Sequence, residues 1–183
     1  MLDQLISVYQ VLTTAEASSN LARYDGIHFG YRSEKATDLY TTYVKSRSEG
    51  FGKEVKRRIM LGTYVLSEGY YDAYFSKAQK VRRMVKERTD SILKDYDFIL
   101  SPATPHPAFN LGSQVEDPIK MYLEDIFTVQ ANLSGQPAIS LPLAQANQMP
   151  VGIQLMGRDF GETALLAFSR ELLHKFTLKK ETV

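Results

Sequence analysis

The chain has 183 residues, 44% of them apolar and 23% charged, the composition of a folded globular protein and not of a disordered one. Its net charge of +1 supplies no global field toward nucleic acid or membrane, and no apolar run approaches the roughly 20 residues of a transmembrane helix. Cysteine is absent, which excludes disulfides, thiolate catalysis and zinc–cysteine sites, and His28, His106 and His174 lack metal-ligand spacing.

The N-terminal MLDQLISVYQ carries an acid at Asp3 and no basic region ahead of its apolar residues, so it does not read as a secretory signal. A cytoplasmic location is expected. Leu5, Ile6, Val8, Tyr9, Val11 and Leu12 suit a short helix or a buried segment over residues 4–17. Turn chemistry follows at Asp25-Gly26 and Gly30. Helices are predicted over 37–45 and over 53–66, the second with Val55, Ile59 and Leu66 near one face. A long helix over 70–94 is predicted from Tyr71, Tyr74, Ala78, Val81, Val85 and Ile92, which step by three, four or seven.

Residues 96–100 read as a short strand entering the Pro-rich loop SPATPHPAF. Asp117-Pro118 is an acidic cap and first-turn proline for a helix carrying Ile126, Val129 and Leu133 and ending at Gly135. Strands are predicted over 138–143 and 151–156, joined by the polar loop AQANQMP. Asp159 and Glu162 form a capping pair for a helix through Lys175, with a stripe of Leu165, Phe168, Leu172 and Phe176 and a frayed tail over 178–183. No internal repeat or linker interrupts the chain. The pattern is α/β, with helices around a few strands of a mixed sheet. Three short strands are few for so many helices, so their edges are expected to lack partners.

A nucleophile is hard to find. Ser18-Ser19 is the only adjacent serine pair, has no flanking glycines to build an oxyanion hole, and reads better as a helix-end cap. Gly-x-Ser-x-Gly and P-loop patterns do not occur, and Glu49-Gly50-Phe51-Gly52 reads as a turn. Lys77, Lys80, Arg82, Arg83, Lys86 and Arg88 could meet RNA phosphates, but nearby acids and the lack of interleaved aromatics favour a solvated helix face. The eleven tyrosines, six of them between Tyr40 and Tyr74, read as packing residues with hydroxyls at the rim. Met84, Met121, Met149 and Met156 read as core filler. His106, alone in its loop, reads as a surface residue more readily than as an acid or base.

Five stretches together carry a specific resemblance: EASSNLARYDG, RRIMLGTYVLSEGYYDAYFSKAQKVRR, DFILSPATPHPAF, DPIKMYLEDIFTVQANLSGQPAISLP and PVGIQLMG. They resemble the amidase-signature family, and the first two point within it to the glutamine-hydrolysing A subunits of aspartyl/glutamyl-tRNA amidotransferases. The resemblance implies the C-terminal part of an amidase-signature α/β/α fold, with all of residues 1–183 forming the later portion of a single amidase domain.

Members of that family use a Ser–cis-Ser–Lys triad, its nucleophile on a Gly/Ser-rich loop, upstream of the region matched here. The resemblance therefore implies no catalytic residue and no metal in this chain, and no glutamine hydrolysis by it alone. It does imply glutamine-recognition residues: Tyr9, Arg58 and Asp125. Free glutamine is a zwitterion; Arg58 would take its α-carboxylate as a planar fork and Asp125 its α-ammonium. The two are expected to face one cavity. For the complete enzyme the resemblance implies subunits B and C as partners, misacylated Glu-tRNA(Gln) or Asp-tRNA(Asn) as acceptor, and ATP with Mg. A general small-molecule amidase fragment, or a non-catalytic module that docks to partner subunits, are the alternatives.

Overall fold

A computed structural model describes residues 2–112, 118–146 and 149–181. The chain divides into two compact units, one of Val8–Lys80 and one of Met1–Ser7 with Val81–Val183.

The Val8–Lys80 unit is helical. Helix α1 (Leu2–Asn20) contributes most of its length, followed by a single 3-10 turn at Leu21–Arg23, α2 (Leu39–Gly50) and α3 (Lys53–Val65). Helix α1 thus exceeds the expected short segment. Ser18 does not cap it from outside; it lies in the last turn and donates its hydroxyl to the Ala15 carbonyl, 2.8 Å away. Helix α3 approaches α1 closely at Gly62, where a Cβ would sit 2.7 Å from Ser18 Cβ and against the Thr14 carbonyl. Only glycine fits there.

Asp38 caps α2 in a reciprocal box with Thr41: Asp38 Oδ1 accepts from the Thr41 amide at 2.7 Å, and Thr41 Oγ1 accepts from the Asp38 amide at 3.0 Å. Ahead of it, the loop of the first signature stretch is fastened from α2. Arg47 donates to the carbonyls of Leu21 (2.8 Å) and Tyr24 (3.1 Å), Ser46 Oγ accepts from the Ser33 amide (3.0 Å), and Tyr31 donates to Glu49 (3.0 Å). Gly26, at φ 81°, lets the loop press onto Ser46.

The predicted long helix over 70–94 is interrupted. A five-residue π-helical turn at Asp72–Ser76 precedes α4 (Lys77–Asp95). The π-turn accompanies a cluster in which the rings of Tyr64, Tyr70 and Tyr74 lie 4.4–6.1 Å apart. Tyr64's hydroxyl is pushed up to about 12, by burial first and then by its hydrogen bonds to the other two. These tyrosines pack on one another, with each ring still exposed at the rim.

The second unit is built on a three-stranded antiparallel sheet of order β1–β3–β2, formed by β1 (Ile99–Pro102), β2 (Ala138–Ala146) and β3 (Met149–Met156). Ile99 and Ala138 both face Met156 across the ladder. The β2–β3 register slips between Leu141 and Ala144, where Pro142 has no N–H to give. Helix α7 (Glu162–Glu181) covers the sheet, and Leu165 meets Leu141 and Leu155 in the core, with Phe98, Ile139, Ile153, Leu172 and Leu173 around them.

The α/β reading holds, with several shifts of detail. The first strand starts three residues later than expected, and most of the polar loop AQANQMP is strand; Asn147 and Gln148 lie outside the described residues. Asp159 is not the cap of α7: the helix starts at Glu162 with Gly161 ahead of it, accepting from the Leu165 amide, and Asp159 instead takes Lys86 at 2.5 Å. The inner stripe of α7 is Leu165 and Ser169 with Leu172 and Leu173, while Phe168 and Phe176 are largely exposed. The expected frayed tail is helical to Glu181. In α4 the buried side chains are Ala78, Val85, Thr89 and Leu93; Ile92 faces out. Met156 is core, whereas Met84, Met121 and Met149 are exposed.

Candidate functional site

Asp125 owes its position to a break in helix. The single helix expected after Pro118 is two, α5 (Pro118–Leu123) and α6 (Val129–Ser134), and the expected cap at Asp117 lies outside the described residues. Between them the chain makes successive tight turns. The Asp125 amide donates to the Tyr122 carbonyl (3.2 Å), and the Asp125 carbonyl accepts from the amides of Thr128 (3.0 Å) and Val129 (3.1 Å). Gly135 closes α6 in the left-handed conformation, at φ 79°. The Asp125 side chain is exposed and its carboxylate makes no hydrogen bond among the described residues.

Two side chains from the sheet end fasten this turn. Gln154, buried on the central strand β3, donates to the Phe127 carbonyl at 3.1 Å and to Ser101 Oγ on β1 at 3.4 Å. His106 Nδ1, from the Pro-rich loop, lies 3.2 Å from Glu124 Oε1. The loop histidine is a surface residue, as expected, but it has a partner.

Arg58 lies on α3 beside the acid that orients it. Its Nε donates to Glu54 Oε1 at 3.1 Å, and Arg57 Nη1 donates to Glu54 Oε2 at 2.7 Å. One carboxylate thus holds both guanidinium groups. The two outer amines of Arg58 make no hydrogen bond among the described residues, which leaves a planar edge for an incoming carboxylate. Tyr9 is half-buried on α1, its carbonyl accepting from the Thr13 hydroxyl at 2.8 Å. Tyr9 and Arg58 belong to the Val8–Lys80 unit and Asp125 to the other.

The rest of the chemistry-bearing inventory is structural. Of the basic residues of α4, Arg82 donates to the Leu133 carbonyl (3.1 Å), Arg83 to Glu87 (2.8 Å) and Lys86 to Asp90 (2.9 Å) as well as Asp159. Ser18 is committed to a helix carbonyl. Asp25 and His28 form an unforeseen pair at 2.7 Å. The His28 ring and the amides of Ile27 and His28 hold the Asp25 carboxyl well below the usual aspartate range. The geometry matches an acid–histidine dyad, yet no hydroxyl reaches the other ring nitrogen among the described residues, and the pair serves to close the loop. The cue was an acid three residues before a histidine, within a turn.

Gln154, Glu54 and Glu124 were not legible as site residues. Each acts through a neighbour, and no local pattern marks that. Among the described residues no group of three or more His, Cys, Asp or Glu could hold a metal ion, and no helix is long and apolar enough to cross a membrane.

Comparison with known proteins places these features in context. The family model described as Amidase matches residues 1–166. The A subunit of the glutamyl-tRNA(Gln) amidotransferase of Desulforamulus reducens is 53% identical over 180 residues, which are 98% of this chain and 36% of that protein. The protein of the same name from Clostridium botulinum (strain Eklund 17B / Type B) is 56% identical over 171 residues, 92% of this chain and 35% of that one. The crystal structure of the corresponding glutamyl-tRNA(Gln) amidotransferase A subunit from Thermotoga maritima superposes with a TM-score of 0.50 at 38% identity, covering 83% of this chain and 35% of that one. The chain spans about a third of the length of the curated relatives it matches.

Proposed function

Because the chain belongs to the amidase family, we propose that it forms part of the glutamine-hydrolysing A subunit of a tRNA-dependent amidotransferase. The observation that carries the reading is identity of 53–56%, sustained over nearly the whole chain, with proteins named as A subunits of glutamyl-tRNA(Gln) amidotransferase. The whole enzyme would release ammonia from glutamine and deliver it to misacylated Glu-tRNA(Gln) or Asp-tRNA(Asn). We place it in the cytoplasm, with subunits B and C as partners.

In this reading the chain's own residues bind and orient; they do not attack. Arg58 presents its outer edge to the α-carboxylate, Asp125 accepts the α-ammonium, and Tyr9 lines the same substrate. The charged geometry supports such a role: one cation oriented by Glu54 with its outer amines unengaged, and one exposed anion on a fastened turn. The nucleophile and its base would come from the part of the amidase domain that this chain does not contain. ATP and Mg would act at the partner subunits.

The test is atom transfer. Amide-labelled glutamine, supplied to the assembled complex containing this chain, should put its label on the aminoacyl-tRNA. Hydrolysis of aryl amides in preference to glutamine, with no label on tRNA, would overturn the reading in favour of a general amidase.

A further inference from the structure

Two neighbouring acids on one turn have different surroundings. Glu124 is held by His106 and its side chain is only 16% exposed, whereas Asp125 points its carboxylate outward without a partner among the described residues. An exposed carboxylate on an unsupported turn would sample many positions, and an ordered ion pair with a substrate needs its partner held within a fraction of an ångström. The turn is accordingly fastened on both sides of Asp125, at Glu124 and at Phe127.

We propose that Gln154, together with the His106–Glu124 pair, positions Asp125 to take the α-ammonium of an amino-acid substrate. The proposal rests on the glutamine reading of Asp125 above. Gln154 is the more telling member. It occupies the middle strand of the sheet, between Ser101 on β1 and Ser140 on β2, at a site where an apolar side chain would stabilise by burial alone. A buried amide is tolerated only when its polar atoms are bonded. Both amide hydrogens of Gln154 are engaged, one at Ser101 Oγ and one at the Phe127 carbonyl, two residues from Asp125.

His106 approaches the turn from the other side. Pro105 and Pro107 restrict the backbone around it, and Thr104 Oγ1 donates to its carbonyl at 2.9 Å. The histidine is thus presented by a stiff loop, and Glu124 receives it. Strand β3 and the Pro-rich loop both act on the Asp125 turn. This accounts for the PVGIQLMG and SPATPHPAF stretches, which no other part of the site uses.

The experiment compares two substrates in the assembled glutaminase: glutamine and glutaramate, which is glutamine with hydrogen in place of the α-amine. Asp125 acts only on the first. The ratio of their kcat/KM values therefore reads the ammonium contact and cancels general losses of folded enzyme. Asp125→Ala should collapse the ratio. Gln154→Met and His106→Ala should each lower it by about two- to tenfold, the range expected for loss of one supporting hydrogen bond, while glutaramate turnover changes less.

His106 is 71% exposed, so its substitution leaves no buried void and carries the test even if Gln154→Met fails to fold. Wild-type ratios in both folded variants, alongside a collapsed ratio in Asp125→Ala, would overturn the positioning role. A wild-type ratio in Asp125→Ala itself would overturn the glutamine reading, and the positioning role with it.

Discussion

Glu54 holds Arg58 through Nε at 3.1 Å and so leaves the outer edge of the guanidinium pointing away from the ion pair. A glutamine α-carboxylate would meet two parallel N–H donors there. Arg58→Ala should lower kcat/KM for glutamine in the assembled enzyme by about 1.5–3 kcal/mol, the range for hydrogen bonds to charged groups. Arg58→Lys should recover little of it, since an ammonium offers no planar fork. Unchanged kcat/KM in Arg58→Ala would remove the residue from the site.

Gly62 is the contact point of α1 and α3. A methyl group there would gain about 1 kcal/mol of helix propensity. It would also press on Ser18 Cβ and on the Thr14 carbonyl, which is backbone and cannot rotate aside. Overpacking costs about 1–3 kcal/mol, so Gly62→Ala should be net destabilising. Urea unfolding followed by circular dichroism measures it; a raised midpoint would show that the helices can part without loss.

Acid should open the Asp25 loop. The His28 ring and two amides hold the Asp25 carboxyl below its ordinary value of 3.8. A depressed folded value means the stabilisation is complete above the unfolded value and is lost as pH falls through and below it. Wild-type stability should therefore decline from about pH 4 downward more steeply than that of Asp25→Asn. Denaturant midpoints between pH 5 and pH 2 check this, and parallel curves would contradict the loop's reliance on that carboxylate.

The fold class was legible because long apolar periodicities survive in α3, α4 and α7, and because the strand residues of β2 and β3 cluster tightly. What escaped were the features set by tertiary contact. Thr89 and Ser169 fill buried stripe positions as polar residues, so Ile92 and Phe168 took their places in a reading based on hydrophobicity. The helix after Pro118 breaks at Asp125 although no Gly or Pro marks the spot. The binding charges were legible only through resemblance; nothing in RRIM or YLEDIF separates a site residue from a surface one. Gln154 was hidden by its own strand, where nothing in VGIQLM marks a residue that acts on a neighbouring turn.

Leu165 is the point at which α7 meets the sheet, in contact with Leu141 and Leu155. Leu165→Ala should cost about 2–5 kcal/mol, the transfer of the side chain plus the cavity it leaves. A loss below about 1 kcal/mol in thermal or urea unfolding would mean that this core is not formed in solution as described.

On the proposed reading this chain orients glutamine and does not cleave it. Amide hydrolysis needs an activated nucleophile and an oxyanion hole, and the Ser18 hydroxyl is committed to the Ala15 carbonyl. The direct measurement is ammonia released when the purified chain is incubated with glutamine. The account predicts no release above buffer from the chain alone, and release once the remainder of the amidase domain is supplied. Ammonia produced by the chain alone, and abolished by Ser18→Ala or Ser19→Ala, would contradict it.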